Sequence, residues 1–412
     1  MTQENRLSEY VQAPDPAFQW DILTQRAIEG GTLYDILLCS QKWQQNVWRH
    51  RLHLFVPQQA AAPEWGMLTI GSDYPESEEI LIDTALACRL GLVSAHLFDI
   101  PNQPLFDGMR EDALMAYTLS QCHDTGDWTW PLLFPMVKAA VRALDIVQAI
   151  CADRCGGSPG RHLLHGASKR GWTSWLTAVV DSRVGAIIPE VYDNLNLFAQ
   201  MPHQVAMWHN YSEMIDDFTE HNLQEKMRTP MGWQIATAID PYSYRAGLTL
   251  PKLLINSLND RYWATDALNL YWNDLSGGKH VVYAPNESHK IDDRRGVDAT
   301  KSAFIGAVLG GVCLPEVAAE YAEGPAEFSI AVRSDTPAVE GRLWVAASAR
   351  QDFRDCCWSW TPLTASDGGR TFTGALTRPA SGYVAVMAEC IFPGKSGDYG
   401  LSTPVRILSS AA

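Results

Sequence analysis

The sequence predicts an α/β fold: a doubly wound, mostly parallel sheet with a helical cap insertion, followed by a small C-terminal all-β, Ig-like sandwich. Three observations carry this expectation. Short apolar runs such as Met67-Leu68-Thr69-Ile70, Leu163-Leu164, Leu253-Leu254-Ile255 and Val281-Val282-Tyr283 alternate with helical patterns, the rhythm of parallel strands covered on both faces. Residues 194–245 are aromatic, Met-rich and helical in pattern, with no strand. Beyond Gly324-Pro325, short strand patterns recur between turn residues such as Asp367-Gly368-Gly369 and Pro393-Gly394.

Taken in order, residues 1–30 read as a helical arm interrupted at Ala13-Pro14-Asp15-Pro16. Residues 32–38 and 48–57 alternate in part and predict two antiparallel opening strands. A strand at 66–71, a helix at 80–89 and a strand at 91–100 follow, then a polar stretch at 107–111. The helix expected over 135–150 aligns Val137, Val141, Leu144 and Val147 on one face. Strands at 161–165, 184–189, 253–256 and 281–283 complete the sheet, and the segment 194–245 (Trp208, Tyr211, Met214, Phe218, Met227, Trp233) is expected to cap its carboxyl edge. The tail reads as strands at 328–332, 341–346, 370–376, 382–388 and 405–408. The domain expectation is therefore 1–322 for the α/β part and 325–412 for the sandwich.

Composition limits the partners. The 412 residues are 46% hydrophobic and carry a net charge of −15 without a basic cluster, so nucleic acid and anionic membrane are excluded as main partners and a small-molecule substrate is expected. No apolar run approaches the ~18 residues of a membrane helix. The polar start from Met1 to Tyr10 has no signal-peptide pattern, so a cytoplasmic location is expected, a processed exported form being the alternative. The nine cysteines contain no Cys-x-x-Cys pair, and the Cys151/Cys155 and Cys356-Cys357 spacings suit neither zinc nor a mutual bridge. Reduced, mostly buried thiols are expected, with no metal and no cofactor.

The most informative segment is Leu163-Leu164-His165-Gly166-Ala167-Ser168-Lys169-Arg170-Gly171-Trp172, an apolar strand running through Gly-x-Ser-x-x-Gly into a helix. It is a variant of the nucleophile elbow, in which a strained strand-to-helix turn presents a Ser hydroxyl above a sheet. In the α/β-hydrolase layout the acid and the His follow the Ser in chain order, each just beyond a strand. Asp260, after Ser257-Leu258-Asn259, and His289, after Pro285-Asn286-Glu287-Ser288, occupy those places. Asp193 is the rival acid, and with Glu190 it also reads as a substrate-facing carboxylate for an amine. The Lys169 backbone N–H and the loop at Gly71-Ser72 would form the oxyanion hole. Arg170, like the Lys169 side chain, either holds a substrate carboxylate or pairs with acidic core residues. Trp172 and Trp263 are expected to line the cleft.

The wider pattern resembles the PhoPQ-activated pathogenicity-related protein family, an α/β-hydrolase-like group. The likeness rests on Ser40-Gln41-x-Trp43, Trp48-Arg49-His50, Pro101-Asn102-Gln103-Pro104, Glu111-Asp112, Trp130-Pro131-Leu132 and the run Gly166 to Thr173. It continues through Asp181-x-Arg183-Val184, Asp193-x-Leu195-Asn196, Pro285-Asn286 with His289, and Asp352-Phe353-Arg354. The resemblance implies Ser168 as nucleophile, Asp260 as acid and His289 as base. This chain departs from the family at Gly71-Ser72-Asp73-Tyr74, where relatives are Gly-rich, and at Arg261-Tyr262-Trp263. The expectation is a serine hydrolase acting on a small ester or amide, peptide- or amino-acid-like. Acyl transfer or condensation on the same triad is the first alternative, and a non-catalytic binding protein the second.

Overall fold

The computed structural model describes residues 5–59, 64–75, 80–154, 157–395 and 397–410. Its contacts divide the chain into two compact units, Met1–Tyr192 with Ile215–Leu250, and Asp193–Met214 with Pro251–Ala412.

The first unit opens with helix α1 (Arg6–Gln12), capped by Asn5, whose side chain accepts from the Ser8 N–H. The helical arm expected up to residue 30 ends there. After the two prolines the chain becomes strand β1 (Gln19–Ile28), which pairs antiparallel with β2 (Gly31–Trp43). Most β1 side chains are exposed and a register shift falls between Ile22 and Thr24, so this edge strand lacks the alternation that would announce it. β2 turns into β3 (Asn46–Pro57) through Gln44-Gln45, both at positive φ, as a two-residue hairpin requires.

The chain continues through β4 (Trp65–Ile70), helix α2 (Thr84–Leu90), β5 (Val93–Leu97), α3 (Glu111–Thr125), α4 (Leu133–Arg154), β6 (Arg161–Ala167), α5 (Lys169–Val180) and β7 (Val184–Glu190). Within this unit the strand order is β1-β2-β3-β5-β4-β6-β7, antiparallel up to β5 and parallel from β5 to β7. The expected helix at 135–150 is α4, longer at both ends and packed against β2 and α5. The segment 194–245 is a series of helices joined by turns, with no strand: α6 (Leu197–Trp208) groups with the second unit, while α7 (Asp216–Glu220), α8 (Leu223–Lys226) and α9 (Pro230–Ile239) pack on α3 in the first.

The second unit holds the parallel pair β8 (Lys252–Ser257) and β9 (Lys279–Ala284), then α10 (Arg295–Leu309). An antiparallel region follows: β10 (Val317–Glu323), β11 (Glu327–Ser334), β12 (Glu340–Ser348), β13 (Ser359–Pro362), β14 (Thr364–Ser366), β15 (Thr371–Thr377), β16 (Tyr383–Phe392), β17 (Tyr399–Ser402) and β18 (Arg406–Ser409). These strands form two sheets, β10-β11-β15-β14 and β13-β12-β16-β17, with β18 on β16. The sheets face each other across a tight core. A Cβ on Gly341 of β12 would lie 2.5 Å from the Phe372 ring of β15, so only glycine admits that ring. The mostly parallel sheet, helical insertion and antiparallel C-terminal region are the α/β-hydrolase-like architecture expected.

Among the described residues no helix is long and apolar enough to cross a membrane. Among the described residues Cys39, Cys122, Cys151 and Cys390 are buried, whereas Cys313 and Cys357 are exposed. Cys155 lies outside the described residues.

Candidate active site

In the first unit the parallel strand β6 delivers the chain into a sharp turn at Ser168, which adopts φ 55° and ψ −124°. Left-handed φ is costly for a residue with a Cβ, roughly 1–2 kcal/mol, and strain of this kind gathers at reactive sites. Two bonds hold the turn: the Ser168 N–H donates to the Glu190 carbonyl (2.8 Å), and Trp172 N–H donates to the Ser168 carbonyl (3.0 Å). Of the flanking glycines, Gly166 is sterically required and Gly171 sits in tight contact. A Cβ on Gly166 would meet the Arg170 carbonyl oxygen at 2.4 Å, and one on Gly171 the Gly166 carbonyl oxygen at 3.0 Å.

Lys169 opens α5, where helix N–H groups have no intrahelical partner. Ile70 pairs with Gly166 in the parallel register, so the Gly71-Ser72 loop leaves the sheet beside the Ser168 turn. The Gly71 N–H is itself engaged by the Leu97 carbonyl at 2.7 Å.

The charged side chains around the turn have internal partners. Lys169 Nζ lies 3.0 Å from Asp112 and 3.1 Å from Glu111. The Arg170 guanidinium grips Glu111 and also donates to the Ile100 carbonyl. Burial alone would raise the Glu111 carboxyl; the hydrogen bonds and charge of Arg170, with Lys169 behind, outweigh it and pull it down to about 2. Glu190, at the end of β7, meets His165 Nε2 at 3.0 Å. Trp172 is buried, donates to the Ile239 carbonyl and stacks on Tyr192 with ring centres 5.1 Å apart.

In the second unit the loops after β8 and β9 bring Asp260 and His289 together. Asp260 is buried; its Oδ2 lies 2.8 Å from His289 Nδ1, and its Oδ1 accepts from the Tyr262 N–H at 2.8 Å. Both carboxylate oxygens are thus directed. The Tyr262 ring packs on the imidazole with centres 4.2 Å apart, and Trp263 follows it, nearly buried. The rival acid Asp193 is buried elsewhere in this unit, accepting from the Tyr271 hydroxyl at 2.5 Å. Burial, with the charges of Asp260 and Asp266 adding to it, raises its carboxyl to about 7 against the pull of that hydroxyl.

Sequence reasoning missed several of these partners. Tyr262 stood in the divergent run after Asp260, and Glu111-Asp112 stood among the motif residues, so both were in view without a role. Tyr271 and the His165–Glu190 pair had no local signal. Among the described residues no three His, Cys, Asp or Glu side chains form a group able to hold a metal.

The chain is 33% identical over 303 residues to autocrine proliferation repressor protein A of Dictyostelium discoideum, an alignment covering 69% of this chain and 61% of that protein. The match therefore spans about 61% of the relative's length. The structure is similar to acetyl xylan esterase from Paenibacillus sp. R4, with a TM-score of 0.51 and 14% identity over 74% of this chain and 90% of that one. At that identity the likeness establishes the fold, that of the α/β-hydrolases. The description PhoPQ-activated pathogenicity-related protein matches residues 7–354, and the chain belongs to that family.

Proposed function

We propose that the protein is a serine hydrolase that cleaves a small ester or amide through an acyl-enzyme, with Ser168 as nucleophile, His289 as general base and Asp260 as its orienting carboxylate. The observation that carries this reading is the 2.8 Å contact between buried Asp260 and His289 Nδ1. A carboxylate there fixes the proton on Nδ1 and leaves Nε2 with the lone pair a base needs. The left-handed turn at Ser168, preceding both in the chain, supports the nucleophile assignment.

In the proposed reaction, Ser168 Oγ attacks the acyl carbonyl as its proton passes to His289 Nε2. The Lys169 N–H and the Gly71-Ser72 loop, with Gly71 already engaged and Ser72 the better donor, stabilise the oxyanion. The imidazolium then protonates the leaving alcohol or amine, and water, deprotonated by the same imidazole, releases the acid and restores Ser168. The internal partners of Arg170 (Glu111), Glu190 (His165) and Asp193 (Tyr271) favour an uncharged acyl group over an amine-bearing one. Trp172 and Trp263 are its proposed apolar contacts.

The test is steady-state hydrolysis of matched p-nitrophenyl esters and p-nitroanilides with neutral or amine-bearing acyl groups. Turnover of the neutral ester, lost in Ser168→Ala, is the expected result. Equal turnover by Ser168→Ala would overturn the assignment.

A further inference from the structure

Asp260 and His289 stand on loops that are both tied to a single segment of the antiparallel region, residues 353–358 between β12 and β13. Asn259 immediately precedes Asp260. Its Nδ2 donates to the carbonyls of Phe353 (3.2 Å), Arg354 (3.2 Å) and Cys356 (2.7 Å). Among the described residues its buried Oδ1 has no partner, so the side chain serves through its donors alone. Asn286 lies in the loop leading to His289 and closes a two-way bond with Trp358, donating to its carbonyl (3.0 Å) and accepting its N–H (2.7 Å). Its φ of 62° is one that Asn tolerates and most residues do not. The two loops also join each other, Asn259 N–H donating to the Glu287 carbonyl at 3.1 Å.

The segment is itself held firmly. Phe353 and Trp358 are buried. Arg354 pairs with Asp352 and with Glu213, both at 2.7 Å, and its guanidinium lies 4.1 Å over the Trp208 ring. Arg261, just after Asp260, bonds Glu213 at 2.6 Å and Asp355 at 2.7 Å. The acid loop, the base loop and α6 thus converge on one short stretch of the C-terminal region.

We propose that Asn259 and Asn286 are positioning residues through which the C-terminal β region sets the geometry of the Asp260–His289 pair. The inference rests on the serine-hydrolase reading and adds to it a role for the sandwich. Proton transfer depends steeply on placement, and a displacement near 1 Å costs about 100-fold in rate. Side chains that lock the supporting loops therefore act on turnover more than on binding.

The test uses the full chain with Asn259→Ala, and Asn286→Gly, which keeps the positive φ while removing both bonds to Trp358. Arg333→Ala, exposed on β11, is the control. The readouts are kcat and KM for p-nitrophenyl acetate, the rate of fluorophosphonate labelling of Ser168, and the thermal midpoint. The expected result is a fall of about 10- to 100-fold in kcat and in labelling rate for both Asn variants, with KM within about 2-fold and the control unchanged. Asn286→Asp, which keeps the acceptor for the Trp358 N–H, is expected to retain more activity and carries the test should Asn286→Gly not fold. Wild-type kcat in folded Asn variants, or a rise in KM alone, overturns the inference while leaving the hydrolase reading intact. Failure of the wild-type chain to label at Ser168 overturns both.

Discussion

Asp193→Asn separates the two candidate acids and tests the burial argument at once. The Asp193 carboxyl is raised from its ordinary 3.8 to about 7, first by burial, and then by the charges of Asp260 and Asp266 against the opposing bond from Tyr271. Between those values the folded chain keeps a proton that the unfolded chain has released. Stability from this group is therefore complete below about pH 4 and is lost as pH rises through about 7. Each pH unit in that window removes about 1.4 kcal/mol, so the whole interval amounts to roughly 4 kcal/mol. Asn cannot ionise, has nearly the same shape, and offers Oδ1 to the Tyr271 hydroxyl. The variant should match the wild type near pH 4 and gain on it steadily up to about pH 8. Urea unfolding followed by Trp fluorescence at unit pH steps measures the difference. Parallel stability curves would refute the reasoning, because a carboxyl ionised throughout would give no slope. Ester hydrolysis by Asp193→Asn should stay within about 10-fold of wild type, whereas a loss near 10⁴-fold would transfer the acid's role from Asp260.

Three further perturbations follow from the same contacts. Glu111→Gln removes the carboxylate held by Arg170 and Lys169; since its side chain is 36% exposed, the cost at pH 7 should be about 1–2 kcal/mol after allowing for solvent screening. Glu111's low carboxyl contributes stability above its ordinary 4.5 and loses it as pH falls toward about 2, so the wild-type advantage in urea should shrink across that window. Gly166→Ala forces a Cβ to within 2.4 Å of the Arg170 carbonyl oxygen, and should cost roughly 3 kcal/mol in unfolding experiments and slow Ser168 labelling. Tyr262→Ala strips the ring packed 4.2 Å from His289; aromatic contacts are worth about 0.5–1.5 kcal/mol, so kcat should fall by roughly 2- to 12-fold, as measured by steady-state kinetics.

What the sequence revealed divides along physical lines. The strands β6, β7, β8 and β9 are mostly buried and β4 buries every second residue, so their apolar runs stand out, and helix α4 declares itself by its periodic valines. Strand β1 does not, because its mostly exposed side chains have no apolar alternation and its form is set by pairing with β2. Helix α3 escaped notice as well: Thr118, Ser120 and Cys122 are buried among its apolar residues, which blurs the helical stripe. At the candidate site, Ser168 was legible because its strained turn demands glycine at 166 and leaves little room at 171, and Asp260 and His289 because each follows a buried strand. The bracing contacts were not. Asn259 and Asn286 reach partners 72 to 97 residues further along the chain, and no local pattern encodes such a meeting.

Fluorophosphonate labelling of the full chain, with the adduct located by peptide mass spectrometry, tests the proposed Ser168 nucleophile most directly. A single adduct on Ser168 is predicted, formed about 10³-fold or more slowly in His289→Ala. An adduct on another serine, or labelling of His289→Ala at the wild-type rate, would contradict it.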